Sequence, residues 1–326
     1  MDKVINRYRK SMLAQLELSE EEKMYRRTRI GSSELGALLG LNKKSWKRTA
    51  ADIVRRLIDP ESVPEFQMNE SMIDGKLLEP FLIQKFELAT GYTVRPAPPK
   101  LVNEHLADNA DGLVYDGDKF IGVYEAKTTK LISDWKHGVP IYYQPQCQLH
   151  MMAWGTDKCF VIGWRQVGES PKIYELPANP EMQEVILAKA EELFEKYVKT
   201  GTYPPVDVSD AWRDKLDSVP CNEGERLEAT EELDAMVSEF RRLQHELKDL
   251  EADFEIKKRQ LQMALGSAST LTGQNYEISY KEQRPRRTVD YKGLLAELNP
   301  PQKLIEQFTK TAAKGIRPLR ARFFTN

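Results

Sequence analysis

Apolar residues along this chain recur at two periods, and the switch between them marks out the elements. From about Met72 to Gly91, Leu77, Leu78, Phe81, Leu82 and Phe86 follow helical spacing, and Gly91 closes the run. Thr93 to Leu101 reads as extended and proline-punctuated. The period then shortens to two across a pair of segments separated by Tyr115-Asp116-Gly117-Asp118. Asp-Gly is a favoured pair for a tight turn, so this region predicts a β-hairpin. A helix from about Tyr142 to Trp154 follows, then a strand over Cys159 to Trp164 and another at Lys172 to Leu176. Pro180 introduces an amphipathic helix through Val198, with Val185, Ile186, Leu193, Phe194 and Tyr197 on one face. Upstream, Met1 to about Lys23 reads as an acidic amphipathic helix. The small residues Gly31-Ser32-Ser33 before Leu35, Leu38 and Leu39 read as a helix start. Helices flanking a mixed sheet define an α/β (α+β) fold.

Thr200 to about Asn222 is a Pro/Asp-rich connector. Beyond it Leu233, Met236, Phe240, Leu243, Leu247, Leu250, Phe254 and Leu261 keep a 3–4 spacing, interrupted by Lys257. This is the stripe of a coiled-coil or helical-hairpin seam. It fits a long helix packed on its own domain and a contact with another chain equally well. Gly266 and Gly273 frame a hairpin-like stretch through Tyr276, Ile278 and Tyr280. A basic segment follows with Lys281, Arg284, Arg286, Arg287 and Lys292. The chain thus reads as three parts: a helix over 1–24, a sheet-centred domain over 25–205, and a helical extension over 206–326 with a basic tail.

Composition narrows the class without choosing a function. At 326 residues, with 30% charged and 40% apolar residues, the balance is that of a soluble globular chain. No apolar run reaches the ~20 residues that span a bilayer, and the N-terminal MDKVINRYRK lacks a secretory signal. Cys147, Cys159 and Cys221 form no zinc or iron–sulfur spacing and fit a reducing cytosol. Lys plus Arg is 48 against 50 for Asp plus Glu, a balance that neither requires nor excludes nucleic acid.

The hairpin carries the chemistry. Asp111 opens its first strand, and Glu125 and Lys127 lie two apart near the end of the second, where alternation puts them on one face. Both acids therefore come to the same end, an arrangement suited to holding a divalent metal against a phosphodiester. Mg²⁺ takes oxygen ligands and keeps several waters, so two or three carboxylates suffice. Asp111 and Glu125 are the candidate ligands, with the Ala126 carbonyl nearby. Lys127 would orient the attacking water or stabilise charge on the phosphate. By itself an acid and a lysine two apart on a strand is more commonly a solvated pair. Two neighbouring features change that balance: Asp74-Gly75-Lys76-Leu77-Leu78-Glu79-Pro80 upstream, and Tyr143-Gln144-Pro145-Gln146-Cys147-Gln148 downstream. Buried amides in the second would need partners, which a metal-bound water or a DNA phosphate would supply. His105 and His150 read as isolated, structural or exposed. His137 beside Trp135 and Lys136, and Trp46 among Lys43, Lys44, Lys47 and Arg48, read as loop residues with a lesser claim to touch nucleic acid.

In order, G-x-x-x-E, A-D-G-L, E-x-K and Y-x-x-Q-x-Q resemble the YqaJ-type viral recombinase family, whose relatives include phage lambda exonuclease. This family lies within the PD-(D/E)XK nuclease superfamily. The similarity covers about residues 25–200. The resemblance implies a restriction-endonuclease-like core. It also implies Glu79, Asp111 and Glu125 as metal-site acids, Lys127 as the catalytic lysine, and Gln146 as the helix amide beside them. Arg26 with Ser32-Ser33-Glu34 matches the N-terminal motif, so Arg26 and Ser33 would hold a 5′-phosphate. It further implies Mg²⁺, with Mn²⁺ as a substitute, and 5′-to-3′ digestion of double-stranded DNA ends. A 3′ overhang, a single-strand annealing recombinase as partner, a homotrimer and a phage or prophage origin in a bacterial cytoplasm complete that expectation. The customary proline before the first aspartate is Ala110 here, and three cysteines exclude the four-cysteine iron–sulfur cluster of other branches. The rival readings are an endonuclease or nickase using the same site, and a non-catalytic DNA-binding scaffold.

Overall fold

The computed structural model describes residues 20–43, 46, 48–63, 70–129, 132–164, 170–222, 224–273, 277–282 and 290–308. The chain forms two compact units, Met1–Val219 and Pro220–Asn326.

The first unit opens with α1 (Glu20–Thr28), β1 (Ile30–Gly31), a 3₁₀ turn over Ser32–Glu34 and the single turn α2 (Leu35–Leu38). The helix read from Met1 to Lys23 thus continues to Thr28, and its first nineteen residues lie outside the described ones. Three glutamates in the first turn of α1 and two arginines in its last complement the helix dipole, which carries the helix into the basic cluster. Next come α3 (Ala50–Ile58), α4 (Glu70–Thr90), β2 (Thr93–Arg95), β3 (Lys100–Leu101) and β4 (Leu106–Asp108). The hairpin is β5 (Gly112–Asp116) and β6 (Lys119–Thr128), followed by α5 (Gln144–Trp154), β7 (Lys158–Trp164) and β8 (Lys172–Pro177). The unit ends with α6 (Pro180–Leu193), a π-helical turn over Phe194–Val198, and α7 (Asp210–Asp217). Pro180 occupies the first turn of α6, and Asn179 caps it by accepting the Met182 N–H at 3.0 Å.

Five strands form the main sheet in the order β2-β5-β6-β7-β8, in which only the β6–β7 pair is parallel. Helix α5 makes the crossover between those two parallel strands. A smaller sheet, β1-β4-β3, stands apart from it. Alternation along the strands sends side chains to two separate cores. Leu113, Val123, Cys159 and Val161 pack with Cys147 and Met151 of α5. Val114, Tyr124, Phe160 and Ile162 pack with Leu82 and Phe86 of α4. The sheet is therefore sandwiched between α4 and α5, and Glu125, in step with Val123, faces α5. Phe86, Tyr124 and Phe160 are each at most 1% exposed. Full burial of such a side chain stabilises by ~1.5–3 kcal/mol.

Two glycines shape the hairpin. Gly117 turns it at φ 59°, a left-handed conformation that side chains disfavour. Gly112 is placed by space instead. A Cβ there would lie 2.5 Å from Val94 Cγ1 and 3.3 Å from the Arg95 carbonyl oxygen, both on β2.

The second unit is built on α8 (Glu231–Leu265), a 35-residue helix capped by Thr230 Oγ1, which accepts the Leu233 N–H at 3.3 Å. The hairpin β9 (Thr270–Thr272) and β10 (Glu277–Ser279) follows, then α9 (Tyr291–Leu298) and α10 (Gln302–Phe308). Met236, Phe240, Leu243, Leu247, Leu250 and Phe254 are exposed along α8. Burial of the stripe on its own domain is thus not seen among the described residues. Tyr276, Arg284, Arg286 and Arg287 lie outside them. Among the described residues no helix is long and apolar enough to cross a membrane.

Candidate active site

Asp111 stands immediately before β5, and the hairpin register sets Gly112 opposite Tyr124, so Asp111 meets the Glu125–Ala126 peptide. Its Oδ2 accepts the Ala126 N–H at 2.9 Å, and Oδ1 has no hydrogen bond among the described residues. Two residues apart on β6, Glu125 and Lys127 meet through their side chains, with the Lys127 ammonium donating to Glu125 Oε1. Gln146, in the first turn of α5, closes a triangle with them. Its Nε2 donates to Glu125 Oε1 at 2.7 Å, and its Oε1 accepts from Lys127 Nζ at 3.0 Å. With both ends of the amide engaged, its orientation is set by the network. The Tyr143 ring lies 5.0 Å from the same ammonium.

Glu79 comes from α4, beyond the opposite face of the sheet, and pairs with Lys76 at 3.0 Å. Burial raises the Glu79 carboxyl, Lys76 opposes the rise, and the Glu125 charge adds to it. Asp111 is pushed up to about 7 by burial first, then by the negative charges of Glu125 and Glu79. The fields of these three acids overlap, a like-charge arrangement that is unfavourable without a cation. Burial would also raise Glu125, but Lys127 and His150 outweigh it and hold it down at about 2. Burial works against the Lys127 ammonium, while Glu125 and Asp111 keep it above its ordinary range.

His150 is the residue that sequence reading missed. Isolated in the sequence, it is fully buried in the structure and bridges two acids. Its Nε2 lies 3.0 Å from Glu125 Oε2 and its Nδ1 2.5 Å from Asp108 Oδ1. Burial opposes a charge on the ring, but Asp108 and Glu125 raise it well above the usual histidine range. Both ring nitrogens then donate. The available signal was spacing, because Gln146 and His150 stand four apart and so share one face of α5. The other glutamines are corrected in the opposite sense. Gln148 is satisfied by the Pro177 carbonyl, the Asn179 N–H and Gln183, and Gln144 donates to the Val139 carbonyl, so neither awaits a ligand.

Arg26 and Ser33 are both exposed, Arg26 in the last turn of α1 and Ser33 in the 3₁₀ turn that packs against α5. Beneath them buried Glu34 pairs with Arg56 at 2.7 Å and Arg48 at 3.6 Å and accepts the Gly31 N–H at 3.0 Å. Trp46 stands edge-on to Tyr142 with centroids 4.8 Å apart. Trp135 is buried against Tyr143 and Tyr174, while His137 is exposed. Elsewhere, ligand atoms of Glu104, His105 and Glu191 lie within 4.8 Å of one another. Both of these carboxylates are exposed, and the His105 ring already meets Glu191 at 2.8 Å and stacks on Phe194 at 4.1 Å.

The donor chemistry of the first cluster fits a hard divalent cation. Among the described residues Asp111 Oδ1 accepts no hydrogen bond, and Glu125 Oε2, which meets only His150, keeps a further acceptor site. An acid at the mouth of one strand, an acid and lysine two apart on the next, and a helix amide over both thus meet at one end of the hairpin. Residues 23–157 match the family model of the YqaJ-like viral recombinase domain. Solved structures similar to the chain include an alkaline exonuclease from Laribacter hongkongensis, at 19% identity over 56% of this chain and 94% of that one, TM-score 0.48. The same enzyme in complex with dAMP aligns at 18% identity over 56% and 94%, TM-score 0.47. A phage related exonuclease from Haemophilus somnus 129PT aligns at 14% identity over 53% and 95%, TM-score 0.42. No curated protein matches the chain.

Proposed function

We propose that this protein is a Mg²⁺-dependent deoxyribonuclease that hydrolyses phosphodiesters at the ends of duplex DNA. One observation carries the reading: Asp111, Glu125, Lys127 and Gln146 converge at one end of the β5–β6 hairpin, within the field of Glu79. Asp111 and Glu125 would hold the ion, with Glu79 and the Ala126 carbonyl completing the protein's share. A divalent ion bound there supplies an activated water and neutralises charge developing on the phosphate. Lys127 would supply a positive charge to the phosphate, and Gln146 holds the ammonium in place. Arg26 and Ser33 would receive the 5′-phosphate of an end, as a guanidinium and a hydroxyl suit a phosphate.

The finer reading rests on the family resemblance. It comprises 5′-to-3′ polarity, processive digestion by a homotrimer, a 3′ overhang for a single-strand annealing recombinase, and work in a bacterial cytoplasm on phage DNA. Linear duplex labelled at either the 5′ or the 3′ terminus, incubated with Mg²⁺ or with EDTA, tests it directly. Early release of the 5′ label that needs Mg²⁺ is expected, with closed circular plasmid left intact. Nicking of the plasmid would favour an endonuclease, and no cleavage of any substrate would leave the binding scaffold.

A further inference from the structure

Helix α5 touches both oxygens of one carboxylate on the neighbouring strand. Gln146 donates to Glu125 Oε1 at 2.7 Å, and one helical turn later the His150 ring meets Oε2 at 3.0 Å. The far side of that ring is anchored in turn, since Asp108 Oδ1 lies 2.5 Å from Nδ1 and Asp108 is the last residue of β4. His150 and the Asp108 side chain are fully buried, so the bridge runs from the small sheet through the helix to the main sheet. We propose that His150, anchored by Asp108, is a positioning residue that fixes Glu125 for metal binding.

This inference rests on the nuclease reading of the same site. A carboxylate held at both oxygens cannot rotate about its last torsion, so its remaining lone pair keeps one direction. Partners that orient a metal ligand in this way contribute about 10–100-fold to metal affinity. Neither His150 nor Asp108 needs to touch DNA, because one is buried under the helix and the other lies beneath it. Their loss should therefore act on the cation and leave DNA binding alone.

The test uses the full chain and Mn²⁺ as probe, with bound ion counted by electron paramagnetic resonance alongside cleavage. Thermal melting by circular dichroism and duplex binding in Ca²⁺ serve as controls. His150→Gln should weaken Mn²⁺ binding by about 10–100-fold, with a cooperative melt and duplex affinity retained. Raising Mn²⁺ should recover cleavage. Asp108→Asn, which keeps the shape but removes the charge, should shift affinity the same way by less. A variant that melts earlier but binds Mn²⁺ as tightly as the parent overturns the inference and makes the bridge purely structural. Should the glutamine variant not fold, unchanged Mn²⁺ affinity in Asp108→Asn overturns it equally. Failure of the parent to bind Mn²⁺ or cut DNA instead removes the nuclease reading, and the positioning role with it.

Discussion

Two histidines in this protein each stand between a pair of carboxylates, and the two settings differ in nearly every other respect. His105 lies at the rim, with Glu104 and Glu191 exposed to water. His150 lies in the interior between Asp108 and Glu125, both at most 2% exposed. Among the described residues, only at the rim do the ligand atoms of a histidine and two acids fall within 4.8 Å of one another. The rim charges are screened by solvent, and surface ion pairs of this kind contribute ~0–1 kcal/mol. The interior acids are compensated instead by His150 and Lys127, and it is neighbouring Asp111 that carries the excess negative charge as a raised pKa. Proximity of ligands therefore marks a site less well than uncompensated charge in a place from which water is excluded.

The comparison breaks most readily at the interior cluster. Asp111→Asn or Lys127→Ala should lower cleavage by about 10²–10⁴-fold, with duplex binding and the melting transition retained. Measured single-turnover rates within tenfold of the parent would count decisively against the site. The bridge beneath it carries the intermediate effect on Mn²⁺ affinity described above.

Proton competition comes next. With burial and its acidic neighbours pushing the Asp111 carboxyl up to about 7, a divalent cation bound there would have to displace a proton below neutrality. Apparent Mg²⁺ affinity should weaken as pH falls from about 7, by up to tenfold per unit if one proton competes. The sign for stability is opposite. A raised carboxyl pKa favours the folded, metal-free protein fully below about 4, and that advantage fades as pH rises through 7. Glu125 runs the other way. Held at about 2, it stabilises above its ordinary 4.5 and loses that contribution as pH drops towards 2. A melting temperature in EDTA that falls between pH 4 and 7 in the parent, but stays flatter in Asp111→Asn, would confirm the assignment.

The smallest effect belongs to the rim. His105→Ala should leave cleavage and Mn²⁺ stoichiometry unchanged within about twofold while costing ~1–2 kcal/mol of stability, from the lost hydrogen bond and ring stacking. A loss of bound metal in that variant would erase the distinction between the two histidines.

Much of this was legible in the chain because the informative residues are close in sequence. The turn at Gly117 and the period-two pattern locate the hairpin to within a few residues, and that register is what joins Asp111 to Glu125. The pattern from Met72 to Gly91 anticipates α4, which runs from Glu70 to Thr90. His150 and Asp108 escaped because their partnership spans 42 residues, from a strand of the small sheet to helix α5. No local periodicity carries a contact of that range. Gln148 misled for a related reason: its partners lie some thirty residues downstream, at Pro177, Asn179 and Gln183. The 3–4 spacing in α8 names a helix and its apolar stripe, but spacing alone does not say what lies against that stripe.

The absent side chain at Gly112 bears on how related genes should be read. A methyl group there would collide with Val94 Cγ1 on β2, and relief by a shift of β5 would displace the adjoining Asp111. A homologue could thus keep every acid, the lysine and the glutamine and still be inert through one alanine codon. Catalogues that score only charged positions would count such a sequence as a working enzyme.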